Sequence, residues 1–554
     1  LRVRLSPKRH ELLDRLRASI ERGSFDDGVE LLCQLRLDPS PSLIPALLPP
    51  FVPQSLRSAQ RAQPWQKREW TYEVSIAEAV FRDELVRTLR DCLARAQAHD
   101  LAKLDEQSRS YGYAQWSADH WRLLDVSELV RCLPNDLDLR FVVLALATLH
   151  GSGYIREHAI EQLKSVTSGE ELPFLLLRLN DWVAPVQKQA FAAVRARVRE
   201  DYAAHFARWL VLLHRMSEAR RNRLSDIAQW ATTLLATPAA LPALVTQYDA
   251  ADRHLRRAAL QLVVERHGDE ARAAALLRAL QDSDAGIRMW VARVACEAGV
   301  YLSQLERDPC GVIRVWALRA RVEREGIAAA PALRQALLDR AASVRATARF
   351  HLAQLEPSFS VVDLYRRALE TETDARRLSA AIAGIGELGN RDDAALVAFS
   401  IGSPVSSLAK AAVRTCAKLA RSDCQTELMQ ALGDPREGVS KVAQRVLAGG
   451  APALSQLLDL LRSTEHGHAR MNAIALFSSL GRWDRLIGLL HVVASSDPAA
   501  SDAARDGLAR WLVSFEYRPY PPTRPGADQH ALVLSLLENV DDAALRERIR
   551  RAVG

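Results

Sequence analysis

One spacing constrains this 554-residue chain more than any other feature: an Asp followed six residues later by an Arg. Asp282 precedes Arg288, Asp308 precedes Arg314, and Asp339 precedes Arg345 by the same six positions. A β-branched residue (Ile287, Ile313, Val344) stands just before each Arg, and a small or apolar one (Val291, Ala317, Ala348) follows it by three. Each unit reads as a helix, a tight turn holding the Asp, and a second helix opening on an apolar-Arg pair. One helix pair cannot bury its own apolar faces, so such units must stack, and a stack of helix pairs is a solenoid that usually binds rather than catalyses.

Aligning the apolar-Arg step along the chain places anchors at Arg156, Gln187, Arg256, Arg288, Arg314, Arg345, Arg377, Ala409, Ser440, Arg470 and Ser501. Most intervals are 30 to 32 residues. The interval from Arg288 to Arg314 is 26, which predicts one unit with a shortened first helix. The 69 residues between Gln187 and Arg256 leave room for a further anchor near Asn222, giving about twelve units. Ala follows most anchors by three (Ala159, Ala190, Ala259, Ala317, Ala348, Ala380, Ala412, Ala473, Ala504), which lets paired helices approach closely. Asp282-Ser283-Asp284, Asp434-Pro435 and Ser496-Asp497-Pro498 carry the capping side chains and prolines that helix N-termini prefer.

The segments LLRALQDSDAGIRMWVA (276–292) and ALRQALLDRAASVRATA (332–348) carry a resemblance on these residues. They resemble HEAT repeats, including the short bacterial type first noted in phycobilisome-lyase-like proteins. The likeness covers roughly residues 140–515 and is looser at 200–250 and beyond Ser501. It implies an all-α fold of the α-α superhelix class, a HEAT/armadillo-type solenoid. In that family the second helix of each pair lines the concave face.

Composition agrees with such a fold. Leu, Ala and Arg dominate, all good helix formers, and no sustained alternating Val/Ile/Thr/Tyr run predicts a strand. Residues 1–135 fall outside the period and read as an irregular helical cap or a separate docking module. There Ser6-Pro7 predicts an N-cap and a helix through Ile20, followed by a Pro-rich segment (39–53) expected to be extended or turned. A longer helical stretch is expected from about Thr71 to Ala102. Residues 136–515 form the solenoid, and 516–554 hold a Pro/Tyr/Arg loop, EYRPYPPTRPGADQ, with short closing helices.

The net charge is +7, and residues 1–140 contribute 21 basic and 21 acidic side chains to it. The excess therefore lies downstream and is mild beside that of a dedicated nucleic-acid binder. Seven scattered cysteines without a CxxC fit a reducing compartment, so a cytoplasmic protein is expected. No apolar stretch reaches the ~18–20 residues a membrane helix needs, so no membrane partner is expected. Nothing at the start reads as a signal peptide, although the chain begins at Leu1 and segments upstream stay open.

Two roles are open for the repeated polar residues. Asp282, Asp308 and Asp339 are assigned to a structural ladder in which each Arg reaches the Asp of its own or a neighbouring turn. Exposed rungs of that kind would contribute only ~0–1 kcal/mol each. Arg288, Trp290, Arg293, Arg314, Trp316 and Arg345 are the candidate binding residues. Trp290 and Trp316 occupy the same repeat position twice in succession, and Trp beside Arg is the composition of protein hot spots and of nucleic-acid stacking surfaces. The alternative is that both indoles fill space between helices.

Catalytic signatures are missing. GIGELG (384–389) follows no strand, so Gly386 and Gly389 read as helix-end glycines. No phosphate loop, HExxH or GxSxG occurs, and His466-Gly467-His468 lacks a third ligand at zinc spacing, so no metal or cofactor is assigned. The expected function is a noncatalytic scaffold gripping a protein partner along its concave face. The alternative is a nucleic-acid-binding solenoid, with a loose likeness to HEAT-like alkylpurine DNA glycosylases from which no catalytic position transfers. A lyase-like tetrapyrrole site would need pocket residues that a repeat alone does not supply.

Overall fold

The computed structural model describes residues 6–62, 73–109, 120–217, 222–516 and 524–553. Every regular element among them is helical, and the fold class is the all-α superhelical one expected from the repeat. The chain divides into two compact units, residues 1–291 and 292–554.

In the second unit the helices come in pairs, each joined by a turn of a few residues. Gly311–Glu325, Ala342–Leu355, Ala375–Leu388, Ser406–Leu419, Glu437–Leu447, Gly467–Leu476 and Pro498–Glu516 are the second helices. Each packs on the first helix of its own pair, and successive second helices from Ala375–Leu388 onward pack on one another. That stacking joins the apolar faces into one core reaching from Val315 to Val553. The Ala three positions after each anchor lies in it: Ala317, Ala348, Ala412, Ala473 and Ala504 are fully buried. The shortened unit has a single-turn first helix, Leu302–Leu305, entered through Tyr301 at φ 59°.

In the first unit the same pairing holds over Leu172–Arg178 with Ala184–Arg195, and Leu241–Thr246 with Arg253–Arg266. Residues 203–246, where the repeat match is loose, form shorter helices, among them Ala203–Arg208, Asn222–Leu235 and Leu241–Thr246. The first helix among the described residues runs Pro7–Glu21, with the Ser6 hydroxyl accepting from the Arg9 N–H. The Pro-rich segment is not extended. It coils into helical turns, Pro41–Leu43, Ile44–Leu47 and Pro49–Phe51, because a proline occupies the first or second position of each, where a missing N–H costs nothing. Leu43, Leu47 and Phe51 are buried by this coiling. The longer helical stretch expected from about Thr71 to Ala102 comprises two helices, Ile76–Ala94 and Ala98–Arg109, and its first residues lie outside those described. The Asp100 carboxylate accepts from the Gln97 N–H at the start of the second.

Candidate functional site

The turn Asp has the same local task in five units. Its carboxylate accepts the backbone N–H two residues on, which tightens the turn and starts the second helix. Asp181 does so from Val183 (3.0 Å), Asp282 from Asp284 (2.8 Å), Asp308 from Cys310 (2.6 Å), Asp339 from Ala341 (2.7 Å) and Asp434 from Arg436 (2.8 Å).

The anchor Arg then ties two turns together. Its Nη1 donates to carbonyls of its own turn: Arg156 to His150, Arg256 to Ala250, Arg288 to Asp282, Arg314 to Asp308 and Arg345 to Asp339. Its other nitrogens grip the carboxylate of the following turn in a two-pronged bond. These pairs are Arg156–Asp181 (2.8 and 2.8 Å), Arg256–Asp282 (3.0 and 3.0 Å) and Arg314–Asp339 (2.7 and 2.7 Å). The rungs are not at the surface. Asp282 is 3% and Arg314 5% exposed, and Arg156 is wholly enclosed. Burial pushes the Asp181 carboxyl up, but bonds from Arg156 and the Val183 N–H outweigh it and hold the group below the usual carboxylate range. Asp282 is lowered by the same balance with Arg256 and the Asp284 N–H.

At three of the four anchors that are not Arg, all but Ala409, another bond closes the step. Gln187 donates to the Leu179 carbonyl, Ser440 to that of Leu432 and Ser501 to that of Val493, in each case eight residues back. Arg377 is not a rung, since it is exposed and pairs with Glu372 five residues earlier. The position six before the next anchor is Thr371 rather than Asp, and Arg345 bonds Glu387 instead, together with Arg349. Burial raises the Glu387 carboxyl, and these two guanidiniums more than reverse it.

The remaining binding candidates separate. Arg288 is half-buried and turned onto the carbonyls of Asp282 and Ser283. Arg314 is committed to the ladder. Trp290 and Trp316 are each half-buried. Arg293 is exposed, and its guanidinium lies over the Trp316 ring at 5.3 Å from the centroid. A stacked, partly wet pair of this kind is worth ~0.5–1 kcal/mol and leaves cationic and aromatic surface for a partner.

A cleft of about 380 Å³ opens between Ala342–Leu355, Ala375–Leu388 and Ser406–Leu419. Small residues line it: Ala380, Ala383, Gly386 and Ala411. Arg345 and Glu387, already paired, lie within it. Around it stand Arg376, Arg414 and Lys418, all exposed, and none forms an ion pair with a carboxylate among the described residues. Gly386 is not a helix-end glycine. It is buried inside its helix, where a Cβ would come within 2.6 Å of the Thr415 hydroxyl, and Gly389 alone closes the helix. The cleft was overlooked because its cations hold no common repeat position. One signal marks it: residues 394–422 contain no Asp or Glu, and Lys410, Arg414 and Lys418 recur every fourth residue, which is one helix face. His468, of the His-Gly-His segment, bonds the Asp434 carbonyl at 2.9 Å and so bridges two repeats.

No family model matches the chain, and no curated protein matches it. Among solved structures it is similar to importin beta from an ammonium sulfate condition, at 12% identity over 90% of this chain and 69% of that one, TM-score 0.33. It is similar to Kap95p from a study of its binding to RanGDP, at 14% identity over 83% and 66%, TM-score 0.31. The Kap95:Nup1 complex gives 12% identity over 87% and 66%, TM-score 0.29. This chain thus spans about two thirds of the length of those proteins. Superpositions this loose add nothing to the helix pairing described above.

Proposed function

We propose that the chain is a noncatalytic interaction scaffold whose second helices between residues 342 and 419 hold an acidic segment of a protein partner. The observation that carries this is the trio Arg376, Arg414 and Lys418. In a fold where arginines near the turns hold a carboxylate or a carbonyl, three exposed cations surround one small-residue cleft, and none of them forms an ion pair among the described residues. Alanines and a glycine let a peptide backbone come close, and the cations supply charge complementarity, which sets orientation and on-rate. The Arg293–Trp316 pair is a second anchor, of the type that dominates binding energy at interfaces.

The remaining parts of the reading follow from the sequence. The repeats are of the short bacterial, lyase-like type, residues 1–135 are an N-terminal cap, and the protein works in the cytoplasm. The same cations would also hold phosphates, so a nucleic-acid-binding solenoid is the second reading. Glu387 within the cleft and Asp374 at the start of its middle helix favour a peptide, since a nucleic-acid groove is more uniformly basic.

The test is capture from lysate at low and moderate salt by wild type, Arg414→Glu/Lys418→Glu and Trp316→Ala, with proteins read by mass spectrometry and nucleic acid by absorbance. A stoichiometric acidic protein that withstands moderate salt and is lost with the charge reversal supports the scaffold. Nucleic acid alone, released steeply by salt, overturns it in favour of the second reading.

A further inference from the structure

A second cleft, of about 310 Å³, lies further along the same unit between Gly467–Leu476, Arg482–Val493 and Pro498–Glu516. Its composition is unlike that of the first. Met471, Ile474, Phe477 and Leu489 give it an apolar wall, and Arg485 and Arg510 are its two cations.

Those arginines break the rule followed by the ladder. Neither guanidinium has a hydrogen bond or an ion pair among the described residues. Arg485 is half-buried, and its burial, together with the like charge of Arg510, disfavours its protonated form. Two cations that converge without a counterion, one of them partly withdrawn from water, are costly unless an anion joins them. The backbone around them is fixed. Trp483 and Trp511 pack at 5.9 Å between ring centroids, and the Trp511 indole N–H donates to the Arg482 carbonyl at 3.1 Å. At Gly507 a Cβ would come within 2.6 Å of Leu489, so the two helices are as close as they can be. The backbone positions of both arginines are therefore set by packing, and neither side chain is paired with a carboxylate among the described residues.

We propose that this cleft binds an apolar carboxylic acid, with the carboxylate between Arg485 and Arg510 and the hydrocarbon against Met471, Ile474, Phe477 and Leu489. A carboxylate shared by two guanidiniums gains charge-assisted bonds to both, and each buried methylene adds ~0.8 kcal/mol. The volume is at the low end of small-molecule pockets, roughly 300–1,000 Å³, which suits a short chain. Two sources carry this chemistry: a free medium-chain fatty acid, and the C-terminal residue of a peptide ending in Leu or Ile.

Calorimetric titration of the full chain tests it with decanoate, decanol, acetate, and a Leu-terminated peptide with its carboxylate free or amidated. Decanoate, or the free-carboxylate peptide, is expected to bind at least about tenfold tighter than its uncharged counterpart, and acetate more weakly still. Arg510→Met, at an exposed position, and Arg485→Met are each expected to weaken that binding about tenfold, with the helical circular dichroism unchanged. Should Arg485→Met fail to fold, Arg510→Met decides alone. A tighter peptide that is lost on amidation names a chain terminus as the ligand, and tighter decanoate names a free acid. Equal binding of charged and uncharged forms, no binding of either acid, or full affinity in Arg510→Met overturns the proposal. None of these outcomes touches the acidic-segment reading, which rests on Arg376, Arg414 and Lys418.

Discussion

Near its start the ladder is a closed network, and near its end it is a looser set of contacts. In residues 1–291, Arg156 and Asp181 are both fully enclosed, and Arg178, also enclosed, donates to Asp181 and to Asp105. In residues 292–554, Arg470 and Asp497 form an ion pair at 3.2 Å that leaves Nε without a hydrogen bond, with side chains 32% and 24% exposed. Ser440 and Ser501 replace the arginine outright. The same kind of joint between successive repeats thus serves two regimes. Where the charges are buried, removing one partner strands the others in a low-dielectric interior. Where they are wet or replaced by a hydroxyl, each step contributes only what one hydrogen bond contributes.

Breaking the closed network should have the largest effect. Asp181→Ala leaves two buried guanidiniums short of an acceptor and is expected to destabilise residues 1–291 by about 3–5 kcal/mol, read by denaturant unfolding. A loss below 1 kcal/mol would erase the contrast between the two regions. A pH effect of similar size belongs to the same region. His150 is buried, its Nε2 on the Trp121 carbonyl and its Nδ1 accepting from the Ser152 N–H, and burial lowers its pKa from 6.5 to about 4. Between those values the unfolded chain binds the proton and the folded chain does not, so stability falls as pH drops from about 6.5 to about 4, by about 3 kcal/mol. Hydrogen exchange across Gly153–Leu163 should show protection declining in that window, and a flat profile would refute it. The depressed Asp181 carboxyl acts only at lower pH, below the ordinary carboxylate value.

Smaller effects sharpen the other side. Ser440→Ala removes a buried bond to the Leu432 carbonyl and should cost about 0.5–1.5 kcal/mol, with Ser501→Ala alike. Asp497→Asn, at the half-wet rung, should cost ~0–1 kcal/mol and respond to salt as a surface pair does. If it matched Asp181→Ala, exposure would not be what separates the two regimes.

The pairing of helices was legible because Asp and Arg are each chemically singular at their positions, and because most anchors repeat the buried Ala three residues on. The burial of the rungs was not legible. A sequence shows that Arg156 and Asp181 stand 25 residues apart, but not that neighbouring helices close over them. The Pro-rich segment misled for a related reason: proline breaks a helix interior yet suits its first turn, and Pro41, Pro45 and Pro49 all fall at starts. Trp316 was singled out for its repeat position. The cleft cations escaped because their convergence comes from stacking three different helices, and no single repeat contains it.

Arg156, Arg256 and Arg314 each hold a carbonyl of their own turn and the carboxylate of the turn after it. The joint between repeats therefore has a direction, like a hook and eye. A repeat lost by unequal recombination leaves a sound joint only where the retained upstream repeat ends in a hook, an Arg, and the retained downstream one opens with an eye, an Asp. Arg256 and Asp339 could meet across such a loss. Arg345 could not be followed by its present neighbour's turn in that way, since the position six before Arg377 is Thr371. The ladder is in this sense a rule for which shortened or lengthened versions of the chain can fold, written separately from any rule about what the chain binds.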